Sequence, residues 1–426
     1  MTASEQLAQF AAGSKALPKL CREYKKERAT VHLKELVGGA LSFYAAAAVA
    51  KTGGVHIFVA EDRDAAAYLL NDFYNLLDEK QVYFFPSSYK RSAAYGAEDA
   101  QGVVQRTAAM NAVRGFTKGY LVVCTYPEAL AERVVDAATL QRDTIAVKLG
   151  DKISIAVLED ALADANFTRV DFVYEPGQYS VRGGIVDVFS YSESKPYRID
   201  FFGDEVDSIR RFNISSQLSA DKLDRVEIIP NLNAGEAPRV SFVQFAGSSA
   251  ACWFYDADYV LRRVNDLRRK VLADMENPGQ IDRLLTSRNV LLRDMAGNSV
   301  VALRDNLPER PATAAVVFDT APQPKFNKNF EMLADDMIRN SLRGYATYIL
   351  SENKVQVERL ENIFHQIGRG QAAVRSLSVT LHEGFVDNDL KLCLYTDHQI
   401  FDRYQRYRIN GEIRRDEQMT VAELNQ

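Results

Sequence analysis

The stretch from residue 175 to residue 212 constrains the fold of this chain more than any other part of the sequence. It begins with Glu175-Pro176-Gly177, which favours a turn because proline fixes φ and glycine permits a positive φ. Gly183-Gly184 then precede the apolar run from Ile185 to Phe189, which is typical of a buried strand. Gly203-Asp204 favours a two-residue hairpin turn with glycine at its first central position. The stretch therefore predicts short strands joined by tight turns.

The predicted strand from residue 197 to residue 202 alternates in character, and alternate residues of a strand point to opposite faces. One face carries Tyr197, Ile199 and Phe201, and the other carries Arg198, Asp200 and Phe202. Two interpretations follow. In the first, the more ordinary one, the second face packs under a helix and its two charges satisfy each other. In the second, the face exposes an aromatic residue beside an arginine, which is the composition that interface hot spots favour.

Three motifs, V-R-G-G-I-V-D-V-F, P-Y-R-I-D-F-F and D-E-V-D-S-I-R, follow one another between residues 181 and 210. With them the stretch resembles the UvrA-binding domain that UvrB shares with the bacterial transcription-repair coupling factor (Mfd). In that family the domain is a small α/β module that docks on UvrA. The resemblance implies that Arg182, Arg198 and Phe202 contact UvrA, and it favours the interpretation with the exposed aromatic.

The composition is that of an ordinary globular protein, with 47% hydrophobic and 26% charged residues among 426. A net charge of -5 argues against a stand-alone nucleic-acid binder, because such domains are usually basic. The cysteines and histidines are scattered without metal-ligand spacing, so we expect no metal site. The sequence has no apolar run that could span a membrane and no signal peptide. We therefore expect a cytoplasmic protein without membrane contacts.

The order of predicted elements indicates an α/β protein with several domains. Strand-like and helix-like segments alternate between residues 31 and 135, which is typical of a doubly wound α/β domain. The resemblance implies that the UvrA-binding module is inserted into this domain, and Pro322-Gln323-Pro324 indicates a linker before a further small α/β domain. The predicted domains are 1–136, a UvrB-like domain 1a with a degenerate P-loop NTPase-like fold; 137–226, the inserted UvrA-binding domain 2; 227–322, domain 1b, which completes the first domain; and 325–426, a small α/β domain 3 with the start of a linker.

The glycine loop around residue 40 is the candidate nucleotide site. A working P-loop reads G-x-x-x-x-G-K-[ST]; its backbone cradles the phosphates, its lysine reaches them and its hydroxyl binds magnesium. UvrB carries such a loop at this place. The matching residues here are Gly38, Gly39, Ala40, Leu41 and Ser42, with Leu41 in place of the lysine and Ala40 in place of the last glycine. We therefore predict that the loop neither binds nor hydrolyses ATP, and we assign no catalytic residue.

Two other features of UvrB are incomplete in this chain. The acidic pair of a motor domain would fall on Asp256-Ala257, where alanine replaces the glutamate. We favour the interpretation that Asp256 is a capping aspartate at the end of a strand. The tyrosine-rich hairpin that UvrB inserts at damaged DNA would fall on residues 84–99, which keep only Tyr89 and Tyr95. Damage recognition by this segment is therefore not predicted.

The resemblance implies a chain like the N-terminal segment of the coupling-factor family, which recruits UvrA in transcription-coupled nucleotide excision repair and has no ATPase of its own. In that family, ATP-dependent DNA translocation, with ATP and magnesium, and contacts with RNA polymerase and double-stranded DNA belong to later domains. Residues 402–426 resemble a linker toward them. Two alternatives stay open: an active UvrB-like nucleotide-dependent DNA-damage-processing enzyme, and a structural scaffold. Leucine rather than lysine at position 41 opposes the first.

Overall fold

The computed structural model describes residues 2–89, 98–233, 237–275, 277–403 and 407. Within these ranges, no helix combines the length and the apolar character that crossing a membrane requires. The described strands are β1 Thr30–Lys34, β2 Gly54–Val59, β3 Val82–Phe84, β4 Tyr120–Thr125, β5 Val134–Val135, β6 Ile145–Lys148, β7 Thr168–Arg169, β8 Gln178–Arg182, β9 Ile185–Val188, β10 Tyr197–Phe202, β11 Glu205–Phe212, β12 Ser219–Leu223, β13 Arg225–Ile228, β14 Arg239–Val240, β15 Ala251–Phe254, β16 Ser299–Ala302, β17 Ala314–Val317, β18 Thr320–Pro322, β19 Ala346–Leu350, β20 Ser376–Leu377, β21 Phe385–Asp387 and β22 Leu392–Thr396.

The described α-helices connect and cover these strands. They are α1 Ala3–Ala12, α2 Ala16–Tyr24, α3 Ala40–Thr52, α4 Arg63–Leu76, α5 Ala100–Arg114, α6 Pro127–Ala131, α7 Ala137–Asp143, α8 Ile155–Asp164, α9 Phe242–Ala246, α10 Ala257–Asp274, α11 Ile281–Leu284, α12 Arg288–Asp294, α13 Phe330–Leu342, α14 Lys354–Gln366 and α15 Asp397–Ile400. Short 3-10 turns lie at Glu79–Gln81, Pro278–Gln280 and Met295–Gly297.

A parallel sheet, called the first sheet below, is built from two separate parts of the chain. Among the described residues its strand order is β17-β1-β16-β15-β2-β4-β3, with parallel pairing throughout. The chain leaves this sheet after β4 and returns to it at β15. Strand β15 is buried at every position, as a parallel strand covered on both faces should be. The predicted α/β class with a parallel sheet is confirmed.

A mostly antiparallel sheet, the second sheet, lies in the sequence between the two parts of the first. The described strands follow the order β12-β11-β10-β9-β8-β7. Helix α8 contributes Leu158 and Leu162 to a core that also contains Val186 and Ile199 of the sheet. The second sheet therefore has a hydrophobic core of its own, which is the physical basis for a separate module.

The third sheet follows the order β18-β21-β22-β19-β20 in the described part of the chain. The linker predicted at residues 322–324 is wrong, because Pro322 ends strand β18 and pairs with Phe385 of β21. Gln323 is buried, and its side-chain Oε1 accepts a 2.8 Å hydrogen bond from the Thr396 amide. Proline is tolerated in β18 because this strand lies at the edge of the sheet.

Candidate functional site

The outer face of the second sheet, opposite α8, carries the candidate interaction residues. Tyr197 and Ile199 belong to the core beneath the sheet and Phe201 packs against it. On the outer face, Arg198 and Asp200 are partly buried, whereas the Phe202 side chain is 83% exposed. The strand therefore alternates as its sequence predicts, and Phe202 is exposed to solvent at its end.

A tight hairpin turn sets the position of Phe202. Phe202 of β10 pairs with Glu205 of β11, so only Gly203 and Asp204 connect the two strands. Gly203 has a φ of +63°, while Asp204 is outside the positive-φ region. This combination is that of a type II′ turn, whose twist matches that of the strands it joins. The turn therefore holds the Phe202 ring at the tip of a hairpin.

One buried carboxylate, that of Asp187 in β9, binds two arginines on this face. Asp187 Oδ1 accepts a 2.7 Å hydrogen bond from Arg198 Nε, and Oδ2 accepts a 2.9 Å bond from Arg198 Nη2. Asp187 Oδ2 also accepts from Arg182 Nη2, although the Asp187 side chain is only 1% exposed. The three side chains form a cluster, called the Asp187 cluster below.

The two arginines of the Asp187 cluster differ in their exposure. The Arg198 side chain is 15% exposed and its guanidinium lies 4.3 Å from the centroid of the buried Phe212 ring. Hydrogen bonding to Asp187 raises the pKa of the Arg198 guanidinium. The Arg182 side chain is 36% exposed and lies 4.8 Å from the Phe172 ring. A partner can therefore reach Arg182 and Phe202 more easily than Arg198.

The charge pairing on this face differs from the one in the first sequence interpretation. Arg198 binds Asp187, and Asp200 instead accepts hydrogen bonds from Arg210 and Ser208. Because Asp187 faces two guanidinium groups, the Asp187 cluster keeps one positive charge in excess. An excess positive charge on the same face as an exposed aromatic ring suits a protein partner that offers an acidic side chain and an apolar pocket.

Sequence reasoning did not select Asp187 as a functional residue. The signal was present, since Asp187 interrupts the apolar run from Ile185 to Phe189. A charge inside such a run must be paired when it is buried. Its partners could not be identified from the sequence, because Arg182 and Arg198 lie on the two neighbouring strands.

The glycine loop of residues 38–42 covers the end of the connection from β1 to α3 and the first residues of α3. Gly39 is the N-cap of α3 and Ser42 is buried. The Ser42 hydroxyl donates to Asp72 Oδ2 at 2.6 Å and lies 3.1 Å from the Gly39 carbonyl oxygen. This hydroxyl is therefore engaged inside the protein rather than directed to a ligand.

The remaining sequence candidates take structural roles where they are described. Asp256 caps α10, with Oδ1 accepting 2.9 Å from the Tyr259 amide and 2.7 Å from Asn306 Nδ2. Tyr89 forms an isolated bridge with Glu98. Tyr95 and residues 404–406 and 408–426 lie outside the described residues. Among the residues that the structure covers, no group of three His, Cys, Asp or Glu side chains is placed to hold a metal ion.

Part of this chain matches a known protein family. Residues 145–233 match the family model of the UvrB interaction domain. These residues are similar to that family's domain, and we call them the interaction domain below. The match begins at β6 and extends past β13, so this interaction domain includes the second sheet and the Asp187 cluster.

Several transcription-repair-coupling factors are similar to this chain. Those of Bacillus subtilis and Escherichia coli are each 27% identical over 199 residues, which cover 46% of this chain and 17% of the relative. That of Haemophilus influenzae is 35% identical over 101 residues, or 24% of this chain and 9% of the relative. The matched region is thus a small part of the relatives' length. The resemblance predicted from the sequence motifs is confirmed.

Proposed function

We propose that this chain recruits UvrA as an adaptor in transcription-coupled nucleotide excision repair. One observation carries the proposal: the interaction domain presents Phe202, 83% exposed, on the same face as the Asp187 cluster. Exposed aromatics and arginines are the residues that most often dominate binding energy at protein interfaces. The similarity to transcription-repair-coupling factors supports the choice of pathway.

The proposed contacts are Phe202, Arg182 and Arg198, with different roles. Phe202 fills an apolar pocket of UvrA, and Arg182 meets an acidic group beside it. Arg198 contributes from a largely buried position, so it also holds the domain together through Asp187. Arg198→Ala therefore lowers both stability and affinity, because it removes a partner from a buried carboxylate.

The decisive experiment is a titration of UvrA with the Phe202→Ala variant. We expect binding to weaken about 30-fold or more, which corresponds to about 2 kcal/mol, with an unchanged melting temperature because the ring is exposed. Leu342→Ala is the matched control, since Leu342 is 85% exposed but lies in α13, outside the interaction domain. Equal affinity of Phe202→Ala and wild type would remove the proposed site. If the wild-type protein does not bind UvrA, the adaptor proposal is wrong and the structural-scaffold hypothesis is favoured.

We further propose that this chain has no ATPase. Leu41 cannot supply the cationic contact of a P-loop lysine. Backbone oxygens of Glu383 and Gly384 also lie against the two glycines of the loop. Magnesium and ATP should therefore leave the melting temperature unchanged, since a ligand that binds only the folded state must raise it. Nucleotide-induced stabilisation with turnover would favour the UvrB-like enzyme instead.

The remaining expectations stay part of the proposal. The first is a cytoplasmic location. The second is a whole protein that acts on RNA polymerase and double-stranded DNA as an ATP-dependent translocase. The third is a chain divided into an interrupted first domain, an inserted module and a third unit. The sheet topology supports the interruption, because strands from both sides of the interaction domain share the first sheet. The pairing of β18 with β21 supports a start of the third unit at Thr320 rather than at residue 325.

A further inference from the structure

The glycine loop lies against a distant segment of the same chain, residues 380–384, between β20 and β21. A Cβ built on Gly39 would lie 2.0 Å from the Glu383 carbonyl oxygen, and one built on Gly38 would lie 3.0 Å from that of Gly384. Backbone oxygen at 2.0 Å is far inside van der Waals contact, so only glycine fits at position 39. The glycines therefore provide space for a peptide backbone.

Polar groups of α4 bind the backbone of this segment. Asp72 Oδ1 accepts a 2.6 Å hydrogen bond from the His382 amide, and Asn75 Nδ2 donates 2.9 Å to the Thr380 carbonyl. Asp72 Oδ2 in turn accepts from Ser42 in the loop. Because these bonds go to main-chain atoms, they recognise the path of the segment rather than its side chains.

Apolar and aromatic packing also holds the same segment in place. Leu381 is fully buried and belongs to the hydrophobic core of the first sheet, as does Phe385 directly after the segment. The His382 ring stacks on Tyr68 of α4 with centroids 3.7 Å apart. The segment is therefore integrated into the first sheet's core although its flanking strands belong to the third sheet.

We propose that the glycine loop, with α4, is an internal docking site whose ligand is the main chain of residues 380–384. The segment occupies the space against the glycines where a P-loop would approach a phosphate, and it attaches the third sheet to the first. This inference deepens the proposed lack of ATPase by naming what fills the loop, and it does not depend on UvrA binding.

The test compares Gly39→Ala with Gly279→Ala by amide hydrogen exchange and thermal unfolding. A Cβ at Gly279 meets its nearest atom at 3.4 Å, which is ordinary contact, so the control changes glycine to alanine without a clash. We expect Gly39→Ala to accelerate exchange in the peptide covering residues 380–384 about tenfold or more and to lower the melting temperature. Gly279→Ala should match wild type.

Two further arms keep the test decisive. If Gly39→Ala does not fold, Asn75→Ala replaces it, because this change removes the hydrogen bond to Thr380 without a clash. In Asn75→Ala the peptide covering residues 380–384 should exchange faster than in wild type. Unaltered exchange at residues 380–384 in a folded variant would overturn the proposal. So would protection of residues 37–42 in wild type by magnesium and ATP. Wild type and Gly39→Ala should bind UvrA equally, so a failure of UvrA recruitment appears in the titration and leaves the exchange result unchanged.

Discussion

Asp187 shows how a single buried charge organises the candidate interface. Its carboxylate binds the guanidinium groups of Arg182 and Arg198, which come from the strands on either side of β9. Because Asp187 fixes both arginine side chains in the free protein, neither loses much conformational freedom when a partner binds. Such preorganisation lowers the entropic cost of binding. We therefore expect Asp187 to act as a positioning residue that holds the two arginines for a partner.

Asp187→Asn tests this role at the residue scale. The change removes a buried negative charge while keeping the shape, so it leaves two arginines without their counter-charge. We expect the free energy of unfolding to fall by on the order of 3 kcal/mol. UvrA affinity should also fall at temperatures where the variant is fully folded, as measured by calorimetric titration.

Asp200→Asn is the control, because Asp200 lies on the same face, pairs with Arg210 and is more exposed. Its loss should cost less stability, since partly exposed pairs contribute little. If Asp187→Asn unfolds at the same denaturant concentration as wild type, Asp187 does not hold the cluster.

At the scale of elements, the hairpin of β10 and β11 decides how Phe202 is presented. The two-residue turn needs a positive φ at Gly203, and among the described residues no atom beyond its two chain neighbours lies within 4 Å of a Cβ built there. A substitution at this position therefore acts through backbone strain alone. The hairpin also contains a bulge after Asp200, which adds twist near its tip.

Gly203→Ala should destabilise the interaction domain by about 1–2 kcal/mol, because an L residue is strained at this φ. It should also weaken UvrA binding, since the strained turn moves the neighbouring Phe202. Denaturant unfolding and the UvrA titration measure the two effects. Asp204→Ala, at the other central position of the turn, should change neither, and equal effects of the two substitutions would contradict the turn assignment.

At the scale of the whole molecule, buried acids connect the first and third sheets. Asp387 of β21 accepts a 2.5 Å hydrogen bond from Tyr44 of α3. Asp72 of α4 joins the glycine loop to the segment of residues 380–384. Burial raises the pKa of both carboxyl groups, with that of Asp72 reaching about 7. We therefore expect the attachment of the third sheet to depend on pH.

Asp72 should make the stability fall as pH rises. Its ordinary pKa is 3.8 and its folded pKa is about 7, so between these values the unfolded chain is ionised while the folded protein keeps the proton. The free energy of unfolding then decreases by about 1.4 kcal/mol per pH unit. The charge of Glu383 adds to the upward shift, while the bonds from Ser42 and His382 oppose it.

Asp72→Asn should remove this dependence. An asparagine reproduces the protonated acid, because its amide can donate to Ser42 while its oxygen accepts from His382. Relative to wild type, the variant should gain on the order of 3 kcal/mol between pH 4 and pH 7 in denaturant unfolding. A stability difference that stays constant across this range would show that Asp72 does not titrate there.

Local patterns in the sequence were sufficient for several features. The alternation of residues 197–202 and the turn at Gly203-Asp204 depend on neighbouring residues, and the structure contains both. The interaction-domain motifs lie within one continuous stretch, so they could be recognised without knowing the fold. The contacts with UvrA stay a prediction, since they involve a second protein.

Other features depend on contacts between distant parts of the chain. The sequence around Pro322 indicates a linker, and only its pairing with Phe385 shows that it belongs to a strand. The sequence around Gly39 indicates a phosphate-binding loop, and only the structure shows that the Glu383 backbone lies against it. The periodicity of a strand or helix indicates only which face of that element is buried, and it does not identify the residues that pack against that face. Neighbouring residues were therefore enough to predict the strand alternation, the hairpin turn and the family motifs, whereas contacts between distant residues set which buried charges pair and which backbone fills the glycine loop.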